Sequence, residues 1–182
     1  MDLNLLNIAD NKKQISQTKR VALTGVMAAL IAVTTIIAIP LPPPLSTVNL
    51  APVIIFVVCI LLGPVIGSTS TIIGCGIGYL AGTSLGTIIV PPGFLYIYLV
   101  GLVAARGPMA LAVSVLRKKS EIAGMVLGVV IETLIFFSID FFLFGIGFAV
   151  FDLGTFVDLI FVPITIAVLI AVRRILGTKY LS

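Results

Sequence analysis

Residues 21–105 contain no Asp, Glu, Lys or Arg. A soluble domain solvates its surface with charged side chains, about a quarter of its residues. A neutral run of this length leaves nothing to face water. At about 20 residues per crossing it holds three transmembrane helices and their short links. The whole chain agrees: 60% of its 182 residues are hydrophobic and 10% are charged. Nothing in the sequence marks a second domain. The expected fold is therefore an all-α integral membrane protein.

Proline, glycine and charge divide the chain into six spans, near residues 21–39, 49–62, 65–82, 93–116, 121–147 and 153–172. After the first span, Pro40, Pro42, Pro43 and Pro44 withdraw backbone donors and exclude helix. Pro52 falls in the first turn of the second span, where proline is tolerated. That span is short and suits a tilted, thinned or re-entrant segment. Gly63 and Pro64 make the next turn, and residues 83–92 form a second loop. The domain plan is a tail over 1–20, a six-helix membrane domain over 21–175 and a tail over 176–182. In the first tail, Leu3, Leu5, Leu6 and Ile8 suit either a short amphipathic helix on a membrane surface or a disordered lead. The first span has the basic flank of a signal peptide, but its apolar run is too long for a signal core.

Ten of the eleven Lys and Arg residues fall in three clusters. Lys12, Lys13, Lys19 and Arg20 precede the first span. Arg117, Lys118 and Lys119 join the fourth to the fifth, and Arg173, Arg174 and Lys179 follow the sixth. Six crossings bring all three clusters to one side. The positive-inside rule makes that side cytoplasmic, with both termini. The loops at 40–48, 83–92 and 148–152 then face outward.

Enzyme signatures are missing from the sequence. It contains no His, which removes imidazole bases and His metal sites. It has no phosphate-binding loop, so any ATP must be hydrolysed by a partner. Cys59 and Cys75 sit apart within spans and read as small apolar residues. The run from Gly74 to Tyr79 superficially matches a nucleotide fingerprint but lies inside a span. The expectation is no enzyme, no cofactor, no metal and no nucleic-acid partner.

Glycines four apart, at Gly74, Gly78, Gly82 and Gly86, at Gly63 and Gly67, and at Gly124 and Gly128, make smooth grooves for close helix approach. Internal packing is the simpler use of the row in the third span. The first span offers a candidate docking face for another protein, with Gly25 and Ala29, or Ala28 and Ala32, one turn apart.

Arg106, Glu132 and Asp140 lie within spans, where an ionisable side chain needs a partner or a polar cavity. At 1.5 Å per residue, Arg106 and Glu132 both fall roughly 15 Å from the inner end of their spans. They match in depth on adjacent antiparallel helices, so they suit either an ion pair or the lining of a substrate cavity. Gly107 and Pro108 follow Arg106, so the helix is expected to kink there or to end. Asp140 lies nearer the outer surface. Asn49, Tyr79, Thr83, Ser84, Thr87, Tyr96 and Tyr98 belong to the same half. Together with Glu132 and Asp140 they outline an outward-facing cavity beneath the Pro-rich loop. Singly, each Tyr is an ordinary interface anchor.

The chain resembles the substrate-binding S components of energy-coupling factor (ECF) vitamin transporters. The resemblance rests on six short spans in a chain of this length, the basic lead and the small-residue first span. It also rests on the turn Leu62, Gly63, Pro64, Val65, Ile66, Gly67. The family's Ala-x-x-x-Ala docking pattern falls on Gly25 and Ala29, with glycine departing from alanine while staying small. The resemblance implies a vitamin site near the outer surface of a prokaryotic cell membrane. It implies a transmembrane coupling subunit, two cytoplasmic ATPases and a component that topples to release its vitamin inside. It leaves the vitamin open. Glu132 and Asp140 suit a cationic or hydroxyl-rich ligand, Arg106 suits a carboxylate, and without Trp any ring must stack on Tyr or Phe. A self-contained carrier and a non-transporting six-helix scaffold are the other classes, although no inverted repeat favours the carrier.

Overall fold

The structure, a computed structural model, describes residues 17–40, 47–90 and 93–176. The tail residues 1–16 and 177–182, most of the Pro-rich loop and residues 91–92 lie outside that set. So does the amphipathic-or-disordered question posed for the N-terminal tail.

The chain forms α1 (Gln17–Ile36), β1 (Ala38–Pro40), β2 (Thr47–Asn49), α2 (Ala51–Leu62), α3 (Pro64–Ser84) and α4 (Leu95–Leu116). Then come α5 (Glu121–Phe144), the short α6 (Ile146–Ala149), a 3-10 helix (Val150–Ile160) and α7 (Phe161–Leu176). Five helical segments are long and apolar enough to cross a membrane: α1, α3, α4, α5 and the composite Ile146–Ile175. At twelve residues, α2 is about 18 Å long against a hydrocarbon core of about 30 Å. It is apolar throughout, yet its length does not make it a full crossing.

Several boundaries differ from those expected. α1 stops at Ile36, because Pro40 and the β-branched residues before it favour extended backbone. The loop ends then pair as an antiparallel ribbon, with Ala38 opposite Asn49 and Ile39 opposite Val48. α5 ends at Phe144 because Gly145 turns the chain at φ 83°. α4 runs unbroken through Gly107 and Pro108 to Leu116, which sets aside an end at Arg106. The last crossing, expected as one α-helix, is 3-10 wound in its first half. Runs of that length are uncommon and often mark functional segments.

Two features lock the end of the bundle that carries the basic turn. Gly63 has φ 85° and joins α2 to α3, with Pro64 opening α3. The Arg117 guanidinium lies over it, so that a Cβ at residue 63 would sit 2.9 Å from Nη2. Arg117 Nη1 also donates to the Ile60 carbonyl at 2.9 Å, satisfying an acceptor left open at a helix C-terminus. Arg173 bonds to Glu121 beside it. The core between these elements is apolar and closed, with Ile55, Phe56, Cys59, Met109, Val113, Met125 and Val129 each fully buried or nearly so.

Glycine decides how close α1 and α3 come. A Cβ at Gly74 would meet the Ala28 carbonyl oxygen at 2.6 Å, and one at Gly78 would meet that of Ala32 at 2.7 Å. Ala28 and Ala32 are accordingly buried. This corrects their assignment to an open docking face: the inner side of α1 consumes them.

Candidate functional site

At the opposite end, beneath the β1–β2 ribbon, the helices part around a cavity of about 220 Å³. Its walls come from the end of α1 (Thr35), β2 (Val48, Asn49), α3 (Tyr79), α4, α5 and the 3-10 helix. Tyr98 lies one turn into α4 and Arg106 three turns in. The cavity therefore extends from near the helix ends to about 16 Å into the bundle.

Its deep end is ionic. Arg106 Nε donates to Glu132 Oε1 at 2.9 Å, with the two side chains 7% and 1% exposed. Arg106 Nη1 donates to the Cys75 sulfur at 3.4 Å, a use of that cysteine beyond packing. The second carboxylate oxygen of Glu132 is buried without a hydrogen-bond partner among the described residues. A buried acceptor left open is uncommon and asks for a donor. Asp158, also buried, is close enough to both to act on them electrostatically.

The 3-10 helix explains how Asp158 comes to face this site. At three residues per turn, side chains three apart eclipse. Asp152, Thr155 and Asp158 therefore form one row, and all three line the cavity. With about 2.0 Å of rise per residue the row spans about 12 Å. In an α-helix the same residues would spread around the cylinder. At its outer end Asp152 neighbours Asp140, and its Oδ2 is buried without a partner among the described residues. One guanidinium thus shares the cavity wall with three carboxylates, Glu132 and Asp158 beside it at the deep end and Asp152 at the outer end.

The remaining wall is aromatic and aliphatic. Tyr79 is 7% exposed and donates its hydroxyl to the Leu95 carbonyl at 3.4 Å, so the ring is held as a wall. Tyr98, Phe136 and Phe151 supply further rings, and Leu102 and Ile88 supply aliphatic surface. Asn49 accepts from the Ala51 amide at 3.1 Å, which fixes it over the start of α2 while it borders the cavity.

The residues singled out in the sequence divide accordingly. Asn49, Tyr79, Arg106 and Glu132 come together in the cavity wall. Asp140 stands behind it, next to Asp152 and Tyr98. Thr83, Ser84 and Tyr96 do not reach it. Thr83 and Ser84 bond back to the Leu80 carbonyl of their own helix. Tyr96 is 73% exposed, two residues and so about 200° around α4 from Tyr98. The sequence reading missed Asp152, Asp158 and Thr155. An ionisable residue within an apolar span was the available signal for Asp158.

Gly25 and Ala29 lie on the outward side of α1, with open space where a Gly25 Cβ would stand. Val26, Leu30 and Val33 are exposed on the same helix.

No curated protein and no solved structure matches the chain. The family described as "ECF-type riboflavin transporter, S component" matches residues 15–179. That match begins ahead of α1 and runs past the end of α7, taking in every element that builds the cavity. The chain belongs to the family of ECF-type riboflavin transporter S components.

Proposed function

We infer that this chain is the specificity subunit of an ECF-type importer and binds a riboflavin-type vitamin in the cavity under the β1–β2 ribbon. The observation that carries this is the cavity itself, where aromatic rings and buried acceptors without partners among the described residues line one space at one end of a membrane bundle. A flavin is flat and apolar across its rings and rich in hydrogen-bonding groups at its imide edge and polyol chain. Such a ligand asks for ring walls with a few placed polar groups. Tyr79, Tyr98, Phe136 and Phe151 suit the rings. Asn49, Glu132 and the Asp152 row suit the polar groups.

The basic clusters support an orientation with the ribbon end outside and both termini in the cytoplasm, and the family relationship supports a prokaryotic cell membrane. The family relationship supports delivery inward together with a transmembrane coupling subunit and two cytoplasmic ATPases. On α1, the outward pair Gly25 and Ala29 is the docking face for that coupling subunit. The chain has no phosphate loop, so its own role is binding.

Titration of the purified protein with riboflavin tests the central claim. Flavin fluorescence should be quenched as the rings stack on tyrosine, and the quenching should saturate at one flavin per chain. Unchanged fluorescence across the titration, with no flavin retained on gel filtration, removes the vitamin assignment.

A further inference from the structure

We propose that the Arg106–Glu132 pair is the docking point for the imide edge of the flavin. Glu132 Oε2 accepts the ring N3–H, Arg106 donates to a flanking carbonyl, and the polyol chain runs outward along Asp152 and Thr155. The proposal rests on the riboflavin-type assignment above and adds the orientation of the ligand.

Three observations carry it. Glu132 is fully buried, and one of its oxygens is satisfied by Arg106 while the other has no partner among the described residues. Arg106 spends Nε on Glu132 and Nη1 on Cys75, leaving Nη2 without a hydrogen bond to any described residue. Both residues line the cavity. An open acceptor beside an open donor complements an imide, whose N–H is flanked by carbonyl oxygens. A hydroxyl can also donate to the one and accept from the other, but the imide presents its N–H and flanking carbonyls in one rigid plane, with no rotor to fix on binding. The opposite end of the cavity presents Asp152 Oδ2, buried and without a hydrogen-bond partner among the described residues. From there to Thr155 the row offers oxygen atoms over about 6 Å, the reach of a short chain of hydroxyls.

The test compares riboflavin with N3-methylriboflavin on the wild-type protein. Methylation removes the donor and should weaken binding by about 10- to 150-fold, the range for a hydrogen bond to a charged group. In Glu132→Gln the discrimination between the two flavins should shrink to about threefold or less, because the charged acceptor has gone. That variant also unpairs Arg106, so a second measurement uses the wild type alone. With riboflavin labelled with nitrogen-15 at N3, the bound N3–H proton should exchange slowly with water and move downfield from its free position. Tight riboflavin binding with equal affinity for the N3-methyl analogue, or rapid exchange of the bound N3–H, overturns the docking point and leaves the vitamin assignment standing. Failure of the wild type to bind riboflavin takes both down.

Discussion

Along α3, Gly74 and Gly78 hold α1 at backbone contact. Along α5 a row with the same four-residue spacing begins as Gly124 and Gly128 and then continues as Glu132. The first two positions meet α4 closely: a Cβ at Gly124 would lie 3.2 Å from the Val113 carbonyl, and one at Gly128 would lie 3.3 Å from that of Met109. One turn later the row carries a carboxylate, and the α4 residue facing it is Arg106. Small residues let helices approach without hydrophobic driving force, so α1 and α3 remain packed along their contact. The switch to Glu132 forces α4 and α5 to accommodate two long ionic side chains, and the cavity adjoins that place. The two interfaces use the same glycine grammar, and the change of one row position from glycine to carboxylate separates scaffold from site.

Breaking the pair should give the largest effect. Removing one partner of a buried ion pair costs about 3–5 kcal/mol, because the other charge stays buried alone. Glu132→Ala should therefore lower the melting temperature by roughly 10 °C, at about 2–4 °C per kcal/mol for a chain of this size, with or without riboflavin. A variant that melts with the wild type would mean that the pair carries no structural weight, and the contrast between the interfaces would lose its basis.

Closing the other interface tests its opposite character. In Gly74→Ala or Gly78→Ala the new methyl meets a carbonyl of the neighbouring helix backbone, which has no rotamer to escape into. Overpacking of that kind costs about 1–3 kcal/mol. Gly124→Ala, with its nearest contact at 3.2 Å, should cost less than either. If thermal melting ranks the three in the reverse order, the α1–α3 contact is looser than its geometry indicates.

A smaller effect, confined to the ligand, is expected at the cavity wall. Asp152→Asn keeps the shape and replaces one acceptor oxygen by an amide NH2, so riboflavin affinity should fall by about three- to tenfold, the scale of one modest hydrogen bond. The empty protein should melt nearly unchanged. Asp140→Asn acts from behind Asp152 and should fall short of that loss. Fluorescence titration of both variants decides between them, and a larger loss at Asp140 would move the ligand toward α5.

The matching depth of Arg106 and Glu132 was readable in the sequence because it needs only helical rise on adjacent antiparallel spans, while the choice between pairing and cavity lining stayed open there. The membrane class followed with equal directness from residues 21–105, and the turn at Gly63 from its Pro64 neighbour. The carboxylate row was not readable in that way. Asp152 and Asp158 are six residues apart, which in an α-helix places them about 120° apart around the axis. Only the 3-10 winding aligns them, and 3-10 winding is a tertiary outcome that local propensity does not announce. Tyr96 shows a different shortfall. Outer-half position alone grouped it with Tyr98, while the helical angle between them sends one to the cavity and the other outward.

The two faces of α1 carry the same kind of residue. Ala28 and Ala32 face α3 and are buried, whereas Gly25 and Ala29 face away and are exposed. A large side chain on the outward face meets nothing in the isolated protein. Gly25→Leu and Ala29→Leu should therefore leave the melting temperature within about 2 °C, since surface changes away from packed features stay within roughly 0.5 kcal/mol. Riboflavin binding should also be unchanged, because neither residue lines the cavity. Close approach of a partner helix is another matter, since leucine at a small-residue position holds two backbones apart. Co-purification with the coupling subunit should fail in both variants while Ile97→Ala, on the exposed side of α4, retains it. Full retention by both leucine variants would move the docking face off α1. Loss of melting temperature in either would show that the outward face is already occupied within the chain.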